Sequence, residues 1–465
     1  VREQPFDLAP DRALEPSDHA VDHAVDHTID HGTGHAVGEH AGHGAGTPAA
    51  ASQAAPPTVS LEDVLAARAV LGDALHRTPI ETSEAYSALF GADVRLKCEH
   101  LQRTGSFKVR GAMNRMAQLS DGERRRGVVA ASAGNHAQGV AWAARRLGVD
   151  AEVHMPADAA LPKVEATQSY GARVVLDGDT VEDAVARARL VALEEGRTFV
   201  HPFDHPAVVA GQGTVGLEIL EQVPDVGTIV VPTGGGGLLA GIAAAVPADV
   251  RVIGVQAARA AAYPASLAAG RPVSVPPQRT MADGIAVGLP GDVPFAVVAG
   301  RGVPVVTVSE DELSRAVLSL AERAKQVVEP AGAAGIAALV PAYRAGGNAA
   351  AADLVDRERP VVVVLSGGNV DPVLLRKLFR YGMAAAGRYL HLRATIPDRP
   401  GALAGLLGVV GACRGDVVTV SHVRTGVGIS IEDTTVDLEI ATKGWDHSAT
   451  IVAAMRREGY PTVER

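Results

Sequence analysis

Short apolar runs alternate with longer helical stretches over most of this chain. After Gly127, residues 128–131 read as a buried strand, 132–135 as a turn, and 136–147 as a helix closed by Gly148. The unit recurs as a strand at 151–155, a helix at about 162–170, a strand at 173–176 after Gly171, and a helix at 181–195. Further strands are expected at 228–231, 251–256, 303–308 and 361–365, with helices from Leu238 and after Ser309, whose pairing with Glu312 is a capping-box pattern. Unbroken apolar strands separated by helices indicate parallel sheets covered on both faces. In such sheets ligands bind beyond the carboxyl ends of the strands. The turns around Asn135, Gly234 to Gly237 and Ser366 each directly follow a strand, which points to one shared site.

The two ends read differently. Residues 1–56 have no hydrophobic periodicity, and His19, His23, His27, His31 and His35 recur every four positions. On a helix that spacing would align imidazoles able to hold Zn or Ni. The segment has little to bury, so it reads as a disordered tail with no metal assigned to it. Ser60 and Asp63 loosely form a capping box for a helix running towards Leu75, and 94–97 is a short strand candidate. Beyond a helix that ends near Ala386, residues 389–395 alternate apolar and polar positions as a half-exposed strand does. Asp398, Arg399, Pro400, Gly401, Ala402 and Leu403 break that strand and start a helix. Strands at 417–423 and 434–442 and a helix from about His447 complete a βαββαβ-like outline.

A length of 465 residues calls for two or three domains. The net charge of -10, without a basic stripe, excludes nonspecific nucleic-acid binding as the leading role. Cys98 and Cys413 lie too far apart in sequence to suggest a disulfide framework or a thiolate metal motif. No apolar run reaches membrane-spanning length and no signal-peptide pattern opens the chain, so a reducing cytoplasm is expected.

The candidate chemistry centres on Gly105-Ser106-Phe107-Lys108-Val109-Arg110-Gly111. A lysine at the start of an Ala- and Met-rich helix could simply be exposed; buried, its amine loses a proton readily and can form a Schiff base with a carbonyl. Gly234, Gly235, Gly236 and Gly237 precede a helix, where N–H groups and the helix dipole can surround a phosphate, although a flexible turn would look the same. A Walker A lysine is absent, which removes nucleoside triphosphate as the leading ligand.

Residues 99–112 resemble the pyridoxal-phosphate (PLP) lysine segment of the serine/threonine dehydratases, members of the tryptophan-synthase-β-like group, and the likeness extends over about 58–385. The resemblance implies an α/β, two-lobed, fold-type II catalytic domain (57–386) in which Lys108 binds PLP and serves as the base. It makes Gly234 to Gly237 the phosphate cradle, places Phe107 against the ring, and puts Ser366, in Val-Leu-Ser-Gly-Gly-Asn, at the pyridine nitrogen. It assigns Asn135 to the ring hydroxyl, although Asn135 is equally suited to capping a helix, and the backbone of Ser132, Ala133, Gly134, Asn135 and His136 to the substrate carboxylate. The His136 side chain reads as a packing or hydrogen-bonding group. Glu329 falls in a matching block near the ring edge without an assigned role, and 209–214 matches as a structural signature. Related serine racemases carry a hydroxyl where this chain has Ala133, and an acidic metal-binding stretch where it reads Gln256-Ala-Ala-Arg259; a dehydratase without a bound metal is therefore expected.

Residues 388–465 resemble an ACT domain, an α+β, ferredoxin-like amino-acid-sensing module whose opening motif matches Asp398 to Leu403. That pairing implies a threonine (and serine) dehydratase feeding isoleucine synthesis, an isoleucine or valine effector contacting that turn, and a homo-oligomer, dimer or tetramer. A plain dimerisation module, a racemase or threonine synthase, and a catalytically silent amino-acid sensor remain the alternatives.

Overall fold

The computed structural model describes residues 58–340, 350–423 and 432–464. The histidine-rich segment 1–56 lies outside the described residues. Strands β1 (Ile80–Thr82) and β2 (Val94–Lys97) pair antiparallel and open a six-stranded sheet. The chain then builds a smaller lobe from β3 (Val128–Ala131), β4 (Ala151–Met155), β5 (Arg173–Leu176) and β6 (Thr198–Phe199), all parallel, in the order β5-β4-β3-β6. It returns as β7 (Thr228–Pro232), β8 (Arg251–Ala257), β9 (Val305–Val308) and β10 (Val361–Val364) to complete the order β1-β2-β10-β7-β8-β9, parallel at every pairing except the first.

Coverage on both faces is what the unbroken valine runs require. Val361 and Val363 pack into one core with Leu313 and Ile336, while Val362 and Val364 face a second core with Leu239 and Ile242. In the small lobe, Val128 and Ala130 face one core, and Val129 and Ala131 pack on Ala184, Ala188 and Val191 of the Val181–Glu195 helix. Among the described residues no helix is long and apolar enough to cross a membrane.

Several boundaries differ from expectation by a residue or more, four of them for clear local reasons. The first helix, Leu61–Leu71, keeps its Ser60–Asp63 capping box but stops at Gly72, whose φ of 45° turns it into a 3-10 segment. Strand β9 begins after Pro304, which has no N–H for a ladder. Helix Asn135–Leu147 is capped by Gly134, so Asn135 is its first residue and not its cap. The last helix, Trp445–Arg457, starts before His447 because Gly444 caps it at a φ of 124°.

The C-terminal part forms its own antiparallel sheet of β11 (Tyr389–Pro397), β12 (Asp416–Val423), β13 (Asp433–Ala441) and β14 (Thr462–Glu464), in the order β12-β13-β11-β14. Helices Ala402–Ala412 and Trp445–Arg457 interleave with the strands, giving the βαββαβ order, and Leu406, Val410, Ile451 and Val452 pack on Leu392, Leu438 and Ile440.

Candidate active site

Beyond β2 the chain makes two short 3-10 turns and enters the lysine helix, Lys108–Ala117. Thr104 and Gly105 both take left-handed φ values, 66° and 70°. Backbone hydrogen bonds tie this turn to the end of β10: His100 N–H donates to the Leu365 carbonyl (2.9 Å), Phe107 N–H to that of Ser366 (3.2 Å), and Gly368 N–H to that of Gly105 (2.9 Å). The lysine and serine segments, far apart in sequence, are therefore one structural piece. Both lie at carboxyl ends of strands in the large sheet.

The lysine helix comes close to the Pro206–Gln222 helix because both carry glycine at the crossing: a Cβ on Gly211 would lie 2.7 Å from the Gly111 Cα. Lys108 is half-buried as a whole residue but its amine end is enclosed: Nζ donates to the Pro202 carbonyl (3.1 Å) and lies 5.3 Å from the Phe107 ring centre. Burial pushes this amine down from the ordinary lysine value to about 8, against the pull of Glu329.

Gly234 to Gly237 follow β7, and Gly236, at a φ of 97°, caps the helix Gly237–Ala245. A Cβ on Gly235 would run into the Phe203 ring and one on Gly236 into the Tyr263 hydroxyl, so the loop admits no side chains there. Gln256 Nε2 donates to the Gly234 carbonyl (3.4 Å), while Gly291 N–H (3.2 Å) and the Tyr263 hydroxyl (3.4 Å) donate to that of Gly235. The first N–H groups of the helix have no intrahelical acceptor, which suits an anion.

On the small lobe, Asn135 opens its helix with its side chain held at both ends. Its Nδ2 donates to Glu329 Oε1 (2.6 Å), and its Oδ1 accepts from Asn369 Nδ2 (2.7 Å). Asn369 Nδ2 also donates to the Thr104 carbonyl (2.7 Å), so one side chain ties the asparagine loop to the lysine turn. Burial pushes Glu329 up to about 8, and the nearby Asp283 adds to the rise.

Two members of the carboxylate loop are committed elsewhere. Gly134 N–H donates to Ser132 Oγ (3.2 Å). The buried His136 ring bonds the Val200 carbonyl through Nε2 (2.8 Å) and is pushed down to about 3, first by burial and then by Lys108. It stays neutral, and only its main-chain N–H is left to meet a carboxylate. Ala133 adds no polar side chain to the half-buried loop.

The sequence reading left out the bridging role of Asn369, the proton-holding state of Glu329, and the segment His201 to Phe203. The last supplies the Lys108 acceptor and a wall of the glycine loop, with Phe203 and Asp204 N–H groups folded onto His201 Nδ1 (3.3 and 2.8 Å). Asn369 was visible within the block that ends in Gly-Gly-Asn. Glu329 stands in a matching block but without an assigned role, and nothing local marks the segment His201 to Phe203.

A two-lobed α/β chain that aims a buried, readily deprotonated lysine between a glycine anion cradle and a buried strand-end serine is built for a phosphate-bearing carbonyl cofactor, and these residues fit PLP. Residues 71–367 match the family described as pyridoxal-phosphate dependent enzyme, and the chain belongs to that family. It is 42% identical over 405 residues to the L-threonine ammonia-lyase of Thermotoga maritima, covering 86% of this chain and 98% of that one. It is 42% identical over 316 residues to the catabolic L-threonine dehydratase TdcB of Escherichia coli K12, covering 67% and 94%. Among solved structures, maize serine racemase aligns with a TM-score of 0.64 at 33% identity, covering 70% of this chain and 98% of that one. The T.th. threonine deaminase aligns with a TM-score of 0.61 at 42% identity, covering 67% and 99%. The catalytic part is thus a fold-type II PLP enzyme.

Asn369→Asp keeps the shape of the bridge but removes the N–H that orients Asn135. Turnover is expected to fall about 100-fold, mostly in kcat, with a shifted absorbance of the bound cofactor. Unchanged kcat and spectrum would show that Asn369 does not position Asn135.

Proposed function

We propose that this protein is a threonine dehydratase: it converts L-threonine to 2-oxobutyrate and ammonia, and L-serine to pyruvate. The observation that carries the reading is Lys108, a buried amine with depressed proton affinity at the junction of the glycine, asparagine and serine loops. The substrate follows from relatives named for threonine at 42% identity.

PLP bound there supplies an electron sink that acidifies the Cα proton of the attached amino acid. Lys108 would hold its carbonyl carbon, Gly234 to Gly237 its phosphate, Phe107 one ring face, Ser366 its pyridine nitrogen and Asn135 its ring oxygen. The Ser366 hydroxyl cannot keep that nitrogen protonated as a carboxylate would, which suits elimination better than transamination. Backbone N–H groups at the start of the Asn135–Leu147 helix receive the substrate carboxylate. Lys108 Nζ, once free, takes the Cα proton, and burial keeps a useful fraction of it neutral near pH 8. The β-hydroxyl leaves as water, and a second water later enters as ammonia departs. Ala133 offers no hydroxyl to reprotonate the opposite face, which favours elimination over racemisation.

With PLP-loaded protein and L-threonine, 2-oxobutyrate and ammonia are expected in equal amounts. D-serine from L-serine without a 2-oxo acid would overturn the assignment in favour of a racemase. No turnover of either substrate would favour a sensor.

The segment 388–465 is read here as an ACT regulatory domain following a 57–386 catalytic domain. The βαββαβ order with sheet order β12-β13-β11-β14 supports that reading. Within Asp398 to Leu403, the N–H groups of Asp398, Arg399 and Ala402 bond the Glu432, Pro397 and Arg399 carbonyls, and Pro400 has none. Contact with an isoleucine or valine carboxylate at this turn would therefore fall to Gly401 and Leu403. A dimer or tetramer and a place in isoleucine synthesis belong to the same proposal.

A further inference from the structure

After Arg251, strand β8 is apolar except for Gln256, and that side chain is fully enclosed. A buried amide needs partners at both ends, and Gln256 has them. Its Oε1 accepts the Tyr263 N–H (2.9 Å), and its Nε2 donates to the Gly234 carbonyl (3.4 Å). The register explains the reach. Val255 stands opposite Pro232, and the Thr233 N–H donates to the Val255 carbonyl (2.8 Å), so Gln256 lies alongside the start of the glycine loop. Tyr263, equally buried in the Ala262–Ala269 helix, extends the support by one residue, its hydroxyl donating to the Gly235 carbonyl (3.4 Å). Burial and then the charge of Asp204 push that hydroxyl well above its ordinary pKa, so it stays a donor.

These bonds fix more than two carbonyls. In a planar trans peptide the carbonyl oxygen and the following N–H point in opposite directions. Holding the Gly234 and Gly235 carbonyls towards Gln256 and Tyr263 therefore turns the N–H groups of Gly235 and Gly236 the other way, where they meet no acceptor among the described residues. Glycine does not keep such an orientation by itself, because without a Cβ its backbone turns freely. Charge does not replace it either. The side chains that a Cβ on these four glycines would meet belong to Val287, Phe203, Tyr263 and Pro294, none of them cationic. Asp204, which accepts from the Val293 N–H (3.0 Å), is negative. The hold on an anion rests here on the direction of main-chain dipoles.

We propose that Gln256 and Tyr263 are positioning residues for the cofactor phosphate: from behind the loop they aim the N–H groups of Gly235 and Gly236 at it, and so set the affinity for PLP. The inference rests on the reading that places the phosphate on Gly234 to Gly237. Gln256→Glu keeps the size and the acceptor for the Tyr263 N–H, but it turns a carboxylate oxygen on the Gly234 carbonyl, which loses its donor. Tyr263→Phe keeps the ring and removes one bond, leaving the Gly235 carbonyl with the Gly291 N–H (3.2 Å). The glutamine change should therefore be the larger.

The test is titration of the full chain, freed of cofactor, with PLP and with pyridoxal, which has the same carbonyl but no phosphate. Absorbance of the bound cofactor reports uptake. The parent should bind PLP far more tightly than pyridoxal. Gln256→Glu should weaken PLP by about tenfold or more and Tyr263→Phe by about threefold, while pyridoxal binds all three chains alike. Gln256→Met fills the same space without a charge, covers the case in which a buried carboxylate prevents folding, and should also weaken PLP about tenfold. Equal losses for PLP and pyridoxal would show that the two side chains only support the fold, and would overturn the inference while leaving the phosphate on the glycine loop. PLP affinity unchanged in every variant would overturn it in the same way. A parent that binds pyridoxal as tightly as PLP would instead remove the phosphate from the loop, and the reading on which the inference rests would fall with it.

Discussion

Lys108→Ala is expected to lower threonine dehydration by about 10³-fold or more while leaving the protein folded. The side chain makes no ion pair among the described residues, and its one donated bond goes to the Pro202 carbonyl, so removing it strands no buried charge. At pH 7 the native chain holds this ammonium against its burial, a cost absent from the unfolded chain. That cost fades as pH rises from about 8 towards the ordinary lysine value. Alanine removes the cost but leaves the Pro202 carbonyl unpaired, so the melting temperature should change little. Lys108→Arg keeps a cation but cannot release a proton at working pH, and it should be equally inactive. In the apo protein, cofactor uptake followed by absorbance should accelerate through a midpoint near pH 8 in place of the higher midpoint of an exposed lysine. Near-normal turnover in either variant would remove Lys108 from the chemistry.

Those features were unevenly visible beforehand. Strands β2 to β5 read correctly to the residue, because each is a short β-prone run bounded by glycine, aspartate or a helix start. The glycine loop and the lysine turn were legible because the residues themselves are chemically unusual. The Pro206–Gln222 helix was not, since it is buried on nearly every side and has no polar face to set a period. Long-range pairing was also hidden: Glu329 and Asn369 stand 194 and 234 positions from Asn135, and only the fold selects them as its partners. The same holds for Lys108, whose chemistry depends on burial supplied by other segments. The residue types declared the cofactor; the packing decides their protonation.

Arg110→Met is expected to be the most damaging single change to stability, although Arg110 lies only two residues from Lys108 and belongs to no catalytic loop. Its guanidinium grips Glu99 with two bonds of 2.8 Å, donates to Glu218 (2.6 Å) and reaches the Thr214 hydroxyl (3.2 Å). Lys97 Nζ completes the cluster on Glu218 (2.6 Å), Gln222 (2.9 Å) and the Thr78 carbonyl (2.9 Å). Burial opposes the Glu99 carboxylate, yet the Arg110 guanidinium overrides it and holds the carboxyl below its usual range. Two buried cations face two carboxylates here, so losing any one of them alone leaves a net charge. Methionine fills the same space but leaves Glu99 fully buried with an uncompensated charge, a loss of about 3–5 kcal/mol. Against a typical stability of about 5–15 kcal/mol, that should lower the urea midpoint sharply and loosen the first turn of the lysine helix. Adding Glu99→Met restores the balance by leaving Lys97 with Glu218, and the double variant should recover most of the lost stability. A single variant as stable as the parent, or a double variant worse than the single, would show that charge balance is not what this cluster provides.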